Sequence, residues 1–296
     1  VSHIESDIAY IENCSEPEHL ASRFYPTGFE ENDKFRSHFI RNIMLQQLGR
    51  KQDSSENSRT GGQIPKTLVQ FWDDPQGPPI DVRKCLQSWN LLRDEGFEFQ
   101  MFDDTSAEAF IAENYGPRER AAFKRCRHPA MRSDFLRVAF VLAKGGLYVD
   151  ADDVLVGDGW KEVFRNGALK IQPLCYDVLA NGMASASDLR DTHLPTEGRI
   201  FYVNNNPIAA PAGHPVLERA LARATDILLG TDLAPEIQST TGPGNLTIAL
   251  AAHANQAQIH DLPSGIEFLF DWEETAEPCW ELAYRRDARN WRNMSR

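Results

Sequence analysis

The chain has 296 residues, 42% apolar and 25% charged, which suits one large soluble domain or two small ones. Forty-three Asp and Glu against 31 Lys and Arg give a formal charge of −12. That argues against a nucleic-acid groove, which needs a basic footprint, and against an anionic membrane surface.

Apolar runs such as 138–143 are far too short to cross a bilayer, so no transmembrane segment is expected. No secretory pattern opens the chain, although the lack of an initial Met leaves room for a removed targeting segment. Cys14, Cys85, Cys126, Cys175 and Cys279 are widely spaced and odd in number, a poor disulfide framework and no metal knuckle. Free thiols in a reducing, cytoplasmic setting follow as the expectation, with export as an effector left open.

In chain order, residues 1 to about 50 predict helices. Ile4, Ile8 and Ile11 recur at helical spacing, as do Phe35, Phe39, Ile40 and Met44, with a break at Pro26, Thr27 and Gly28. Gln52 to Gly62 is polar and Gly/Ser-rich, a linker, so 1–62 reads as a helical extension and 63–296 as the main domain. From Ile64 strands alternate with helices, the α/β signature. Strands are expected at Leu68–Trp72 and Phe97–Phe102, and helices at Cys85–Leu92, Thr105–Asn114 and Glu119–Arg125. Further on, apolar pieces stand at Ile200–Val203 and Pro207–Ala210, followed by a helix at Pro215–Leu229. Trp272, Trp280 and Trp291 punctuate a charged tail.

The most informative stretch is MRSDFLRVAFVLAKGGLYVDADDVL, residues 131–155. Met131, Phe135, Val138 and Leu142 make a core-facing helical stripe, and Gly145 and Gly146 suit a left-handed C-cap. Leu147, Tyr148 and Val149 then form a strand, with Tyr148 and Asp150 on one face. Acids at Asp150, Asp152 and Asp153, where an apolar strand ends, suit a hard divalent cation bridged to a polyphosphate.

RSDFLR followed by GGLYVDAD resembles the DXD region of family 32 glycosyltransferases and, more remotely, the catalytic domains of the large clostridial glucosylating toxins. The resemblance extends thinly from about Ile64 to the C-terminus. It implies a GT-A fold, a Rossmann-type mixed sheet flanked by helices, over 63–296. It also implies Mn²⁺ or Mg²⁺, a nucleotide-diphosphate sugar as donor, a hydroxyl-bearing acceptor and retention at the anomeric carbon.

By that resemblance Asp152 is the direct metal ligand, Asp150 contacts ribose or metal, and Asp153 either supports them from behind or is exposed. Asp134 and Arg137, one turn apart on the helix, would bond the hydroxyls of the donor sugar, with Arg132 and Ser133 as weaker candidates. Tyr148 packs either on the nucleotide or in the core. Trp72, ending the strand IPKTLVQFW, stacks on a base or packs internally. Asn204, in VNNNPIAAPAGHPVL, matches a donor-pocket position, and Thr241 and Gly242, in STTGPGNLT, match a Thr-Gly-Pro loop. His214, before Pro215, reads as structural.

The family's closing segment, His-containing and ending in Ser-Trp, is not evident in this chain. YRRDARNWRN, residues 284–293, offers Asp287 and Asn290 as oxygen donors to the metal and Trp291 to close the pocket. Two alternatives stay open. LYVDADDVL also resembles the D-x-D strand of haloacid-dehalogenase-like phosphatases, with Asp153 where those have Gly, and a non-catalytic nucleotide-sugar-binding module would carry the same features.

Overall fold

The computed structural model describes residues 32–49, 62–231, 234–259, 264–286 and 290. The Ile4, Ile8 and Ile11 repeat, and the linker up to residue 61, lie outside these. The elements begin with α1 (Asp33–Gly49), β1 (Thr67–Phe71), α2 (Ile80–Ser88), α3 (Leu91–Asp94), β2 (Glu98–Phe102), α4 (Asp104–Asn114) and α5 (Pro117–Arg125). Next come α6 (Pro129–Lys144), β3 (Gly146–Tyr148), β4 (Asp153–Leu155), α7 (Trp160–Val163), β5 (Leu169–Asp177), β6 (Gly182–Met183) and α8 (Ala186–Arg190). The chain closes with β7 (Arg199–Ala210), α9 (Pro215–Leu229), α10 (Ile237–Thr240), α11 (Pro243–Ile259), β8 (Ile266–Phe268) and β9 (Ala276–Pro278).

A mixed seven-stranded sheet in the order β2-β1-β3-β7-β5-β6, with β8 added on β5, forms the centre. β1 pairs in parallel with β2 and β3, whereas β7 runs antiparallel to β3 and β5. Leu68, Val69, Leu147 and Tyr148 are completely buried, as expected of central strands covered on both faces. A second, two-stranded sheet pairs β4 with β9 and so ties the C-terminal region to the segment just after the DXD acids. This is the mixed α/β architecture with flanking helices that the sequence implied.

Several elements differ from the sequence reading in extent. The helix expected at Cys85–Leu92 starts earlier and breaks at Trp89 and Asn90 into tighter i→i+3 turns, with the fully buried Trp89 donating its indole N–H to Asp153 O at 3.0 Å. The two pieces at 200–203 and 207–210 are one strand, β7, against which β5 shifts register between Ile171 and Pro173. β5 had no expectation, since Pro173 interrupts its pattern, and the turn-like GPGNLT opens the long helix α11.

Ile40, Ile43 and Met44 of α1 lie in the main core. Arg41 is buried over the Phe201 ring, with its guanidinium donating to the carbonyls of Leu189 and Asp191. Ser37 and Gln47 bond β7 and β8 in the same way. This helix therefore seals the edge of the sheet that follows it in sequence.

The Gly-Gly stop is required sterically. Gly145 has φ +72° and Gly146 φ +120°, and a Cβ on Gly146 would lie 2.7 Å from Thr67 O. Side-chain-free backbone here lets α6 end and β3 enter directly beside β1. Among the described residues, no helix is long and apolar enough to cross a membrane.

Candidate active site

β3 delivers the chain from the sheet centre into the turn that carries Asp150 and Asp152. Tyr148 pairs with Ile208 across the antiparallel β3/β7 ladder, which sets Asp150 opposite Asn206. The Asp150 backbone N–H donates to Asn206 Oδ1 at 3.1 Å, and Asn206 Nδ2 donates to Asp153 Oδ2 at 2.8 Å. One asparagine thus fixes both ends of the acid turn. The shift in β5 register leaves residues 204–206 of β7 outside regular pairing, a distortion that re-aims side chains toward the turn.

Behind the turn, α6 supplies a buried polar layer. Arg137 donates to Asp150 Oδ1 at 2.8 Å, to Ser133 Oγ at 2.9 Å and to Asn205 O at 2.8 Å, and lies 3.2 Å from Asp134 Oδ1. Its guanidinium also sits 4.5 Å from the centre of the Tyr148 ring. Asp134 accepts from Asn205 Nδ2 at 2.7 Å and from Thr241 Oγ1 at 3.3 Å. Burial pushes the Asp134 carboxyl up to about 6, with Arg137 opposing the rise. Burial alone would lower the Arg137 pKa, but Asp150, Tyr148, Asp134 and Asp153 together outweigh it and keep the guanidinium charged.

In front, the C-terminal region closes on Asp152. The Tyr284 hydroxyl and the Arg285 guanidinium both donate to Asp152 Oδ2, and Cys279 N–H donates to Asp152 O at 2.9 Å. Burial, then repulsion from Asp150, raises the Asp152 carboxyl, while Arg285 and Tyr284 pull it down. Asp153 is buried and stands well above the usual carboxylate range, through burial and then Asp150 and Asp152. Among the described residues, Asp134, Asp150, Asp152 and Asp153 thus crowd round two guanidiniums, Arg137 and Arg285, and the raised carboxyls of Asp134, Asp152 and Asp153 reflect burial first and that crowding second.

A cation brought to this cluster of hard carboxylate oxygens would let the acids ionise together, which fits a divalent ion. Among the described residues, no group of three His, Cys, Asp or Glu could hold a metal ion. Among the described residues, the acids at this turn that could take part in such a site are Asp150 and Asp152. Beside the turn, Trp72 follows β1 and lines a cavity of about 200 Å³ with Pro75, Pro78, Met101 and Phe102. The edge of the Tyr284 ring packs on Trp72 with ring centres 5.2 Å apart.

The structure therefore brings together Asp134, Arg137, Tyr148, Asp150, Asp152 and Thr241, with Trp72 alongside. Tyr148 takes its core alternative, fully buried with its hydroxyl on Ser133 Oγ and Asp150 Oδ1. Asp153 takes the first of its two alternatives, buried behind the turn and bonded to Asn206. Asn204 turns to Gln172 instead, at 3.0 Å, and its neighbours Asn205 and Asn206 meet the acids. Gly242 spends its N–H on Ile237 O, and it is the Thr241 side chain that reaches Asp134. Arg132 pairs with Asp104, away from the turn. His214 caps α9, as expected for a structural role. Asn290 donates to Arg285 O at 2.8 Å, while Asp287 and Trp291 lie outside the described residues.

Sequence reasoning missed Asn205, Asn206, Tyr284 and Arg285. The NNN run and the YRRD segment were the available signals, each read one or a few residues off.

Comparison with known proteins gives the site a family setting. Residues 79–163 match the family described as a glycosyltransferase sugar-binding region containing DXD motif. The initiation-specific alpha-1,6-mannosyltransferase of Candida albicans is 24% identical over 211 residues, covering 65% of this chain and 54% of that protein. Its namesake in Saccharomyces cerevisiae is 23% identical over 198 residues, covering 57% of this chain and 40% of that protein. The chain thus spans about half the length of these relatives. A solved structure, the PaToxG glycosyltransferase, aligns with a TM-score of 0.43 at 14% identity, covering 80% of this chain and 86% of that one. The D-x-D run lies inside the stretch that matches the glycosyltransferase family. The matched stretch runs from α2 to α7 and contains the Asp150 and Asp152 turn.

Proposed function

We propose that the chain is a divalent-cation-dependent glycosyltransferase that moves a hexose from a nucleotide-diphosphate sugar to a hydroxyl-bearing acceptor, with retention at the anomeric carbon. One observation carries the reading. Asp150 and Asp152 stand together just past the end of a central strand, Asp150 held by Arg137 and Asn206 and Asp152 by Arg285 and Tyr284, with two further carboxyls, Asp134 and Asp153, buried beside them. Asp150 and Asp152 would hold Mn²⁺ or Mg²⁺, with Asp287 and Asn290 as further oxygen donors. Bound there, the ion would neutralise the diphosphate and stabilise it as leaving group.

This chain's own residues set the geometry around that chemistry. Arg137 and Tyr148 hold the Asp150 carboxylate and Asn206 holds its backbone N–H, so its reach toward the donor needs little reorganisation. Asp134, Asn205 and Thr241 form the polar floor on which the hydroxyls of the donor sugar are read. Trp72 gives the cavity beside the turn an aromatic face for the base. No side chain is assigned as general base, because the departing diphosphate can itself take the acceptor proton.

The relatives' names make a mannosyl donor the first to test, with glycan, lipid and protein hydroxyls as acceptor classes. Cys85, Cys126, Cys175 and Cys279 are free thiols, which supports a reducing, cytoplasmic setting. The test is donor turnover with Mn²⁺, followed by the anomeric configuration of the product by NMR. Transfer with retention that disappears in Asp152→Asn supports the reading; a protein that binds nucleotide sugars but never turns them over is a binding module instead.

A further inference from the structure

The cation that Asp152 meets in this structure belongs to the protein. Arg285 is largely buried and gives one guanidinium nitrogen to Asp152 Oδ2 and its Nε–H to Cys279 O at 2.9 Å. Its planar head lies 4.4 Å from the centre of the Trp280 ring and 5.6 Å from that of Tyr284. The Tyr284 hydroxyl donates to the same carboxylate oxygen. Tyr284 in turn packs on Trp72, and Ala283 N–H donates to Asp81 Oδ2 at 2.9 Å, so this segment bridges the cavity beside Trp72 and the acid turn.

An arginine does not lose its charge in a protein, so it cannot share one carboxylate oxygen with a divalent cation without repulsion. A diphosphate offers it another partner, because the guanidinium fork matches phosphate oxygens and an aromatic ring already supports its plane. We infer that Arg285 stands in for the divalent cation at Asp152 and passes to the diphosphate when metal and nucleotide bind together. The inference rests on the reading of Asp150 and Asp152 as a cation site. Metal alone must then displace a buried ion pair, whereas metal with nucleoside diphosphate only re-partners it. The two ligands are linked through one side chain, and each tightens the other.

The experiment titrates Mn²⁺, by electron paramagnetic resonance of the free ion, into wild type, Arg285→Met, Arg285→Lys and Asp152→Asn. Each titration is run without nucleotide, with UDP and with GDP. Arg285→Met should bind Mn²⁺ alone about tenfold tighter than wild type, and the tightening brought by UDP or GDP should shrink, since the coupling side chain is gone. Arg285→Lys keeps the competing charge and should follow wild type for Mn²⁺ alone. Unchanged or weaker Mn²⁺ binding by Arg285→Met overturns the inference; if Asp152→Asn still abolishes binding, the metal reading itself survives. Wild type and Asp152→Asn binding Mn²⁺ alike would sink both together. Should Arg285→Met fail to fold, wild type still decides: Mn²⁺ affinity indifferent to UDP and GDP overturns the exchange.

Discussion

Replacing Arg137 with methionine removes a buried guanidinium while keeping most of the stem's packing. In the wild type it serves Asp150, Asp134, Ser133 and the Asn205 carbonyl at once, and both it and Asp134 are almost wholly shielded from water. Removing one partner of such a pair leaves a buried charge without compensation, which costs about 3–5 kcal/mol, where an exposed pair would cost under about 1. The loss should depend on pH in a definite direction. The Asp134 carboxyl, about 6 when folded against 3.8 ordinarily, holds its proton more tightly in the folded state. Its contribution therefore favours folding at low pH and is lost as pH rises from about 4 to 6. Without Arg137 the folded value climbs further, so the variant's deficit should be larger at pH 7.5 than at pH 5. Urea unfolding of both proteins at the two pH values measures this, and Asp134→Asn in the Arg137→Met background should recover part of the loss at pH 7.5. A deficit below about 1 kcal/mol, equal at both pH values, would refute the buried-network account.

Asn206→Ala should cost about 1–3 kcal/mol in urea unfolding, because it strips one partner each from Asp150 N–H and Asp153. Its donor turnover should fall by more than that stability loss explains, and wild-type turnover would show that the turn needs no such clamp. Burial lowers the His214 pKa to about 4 from 6.5, so its contribution to stability is complete above pH 6.5 and lost as pH falls to about 4. His214→Asn keeps a helix cap and should flatten the stability profile in that window by up to about 3 kcal/mol; an unchanged slope would place the titration elsewhere. Gly146→Ala should destabilise by about 1–3 kcal/mol or more, since its Cβ would strike Thr67 O at positive φ. A wild-type melting temperature would show that β1 yields.

How much was legible depended on how local the determinants were. The helix, Gly-Gly stop, short strand and acids of 131–155 lie in one continuous stretch, and each has its own signal. The period-two argument that set Tyr148 and Asp150 on one face reappears as their 3.2 Å hydrogen bond. Choosing among Asn204, Asn205 and Asn206 was another matter, because it depends on a register shift opposite Ile171 and Pro173 that only the partner strand determines. Tyr284 and Arg285 reach Asp152 because β9 pairs with β4, a contact more than 120 residues apart in sequence. Arg41 hid for the same reason, its acceptors at Leu189 and Asp191 lying 148 and 150 residues further on. α11 was missed since Thr-Gly-Pro reads as a turn, although Pro243 stands at the first helical position, where a missing N–H costs nothing. Its Ala-rich sequence is buried on most sides and gives no amphipathic stripe.

The most direct test of the central claim is thermal stability of wild type and Asp152→Asn with a panel of nucleotide-diphosphate sugars, each with and without Mn²⁺. The account predicts that at least one donor raises the wild-type midpoint, that Mn²⁺ enlarges the rise, and that Asp152→Asn abolishes the Mn²⁺-dependent part while unfolding normally without ligand. A rise that is identical with and without Mn²⁺ in both proteins would contradict it, as would a panel in which no donor moves either midpoint.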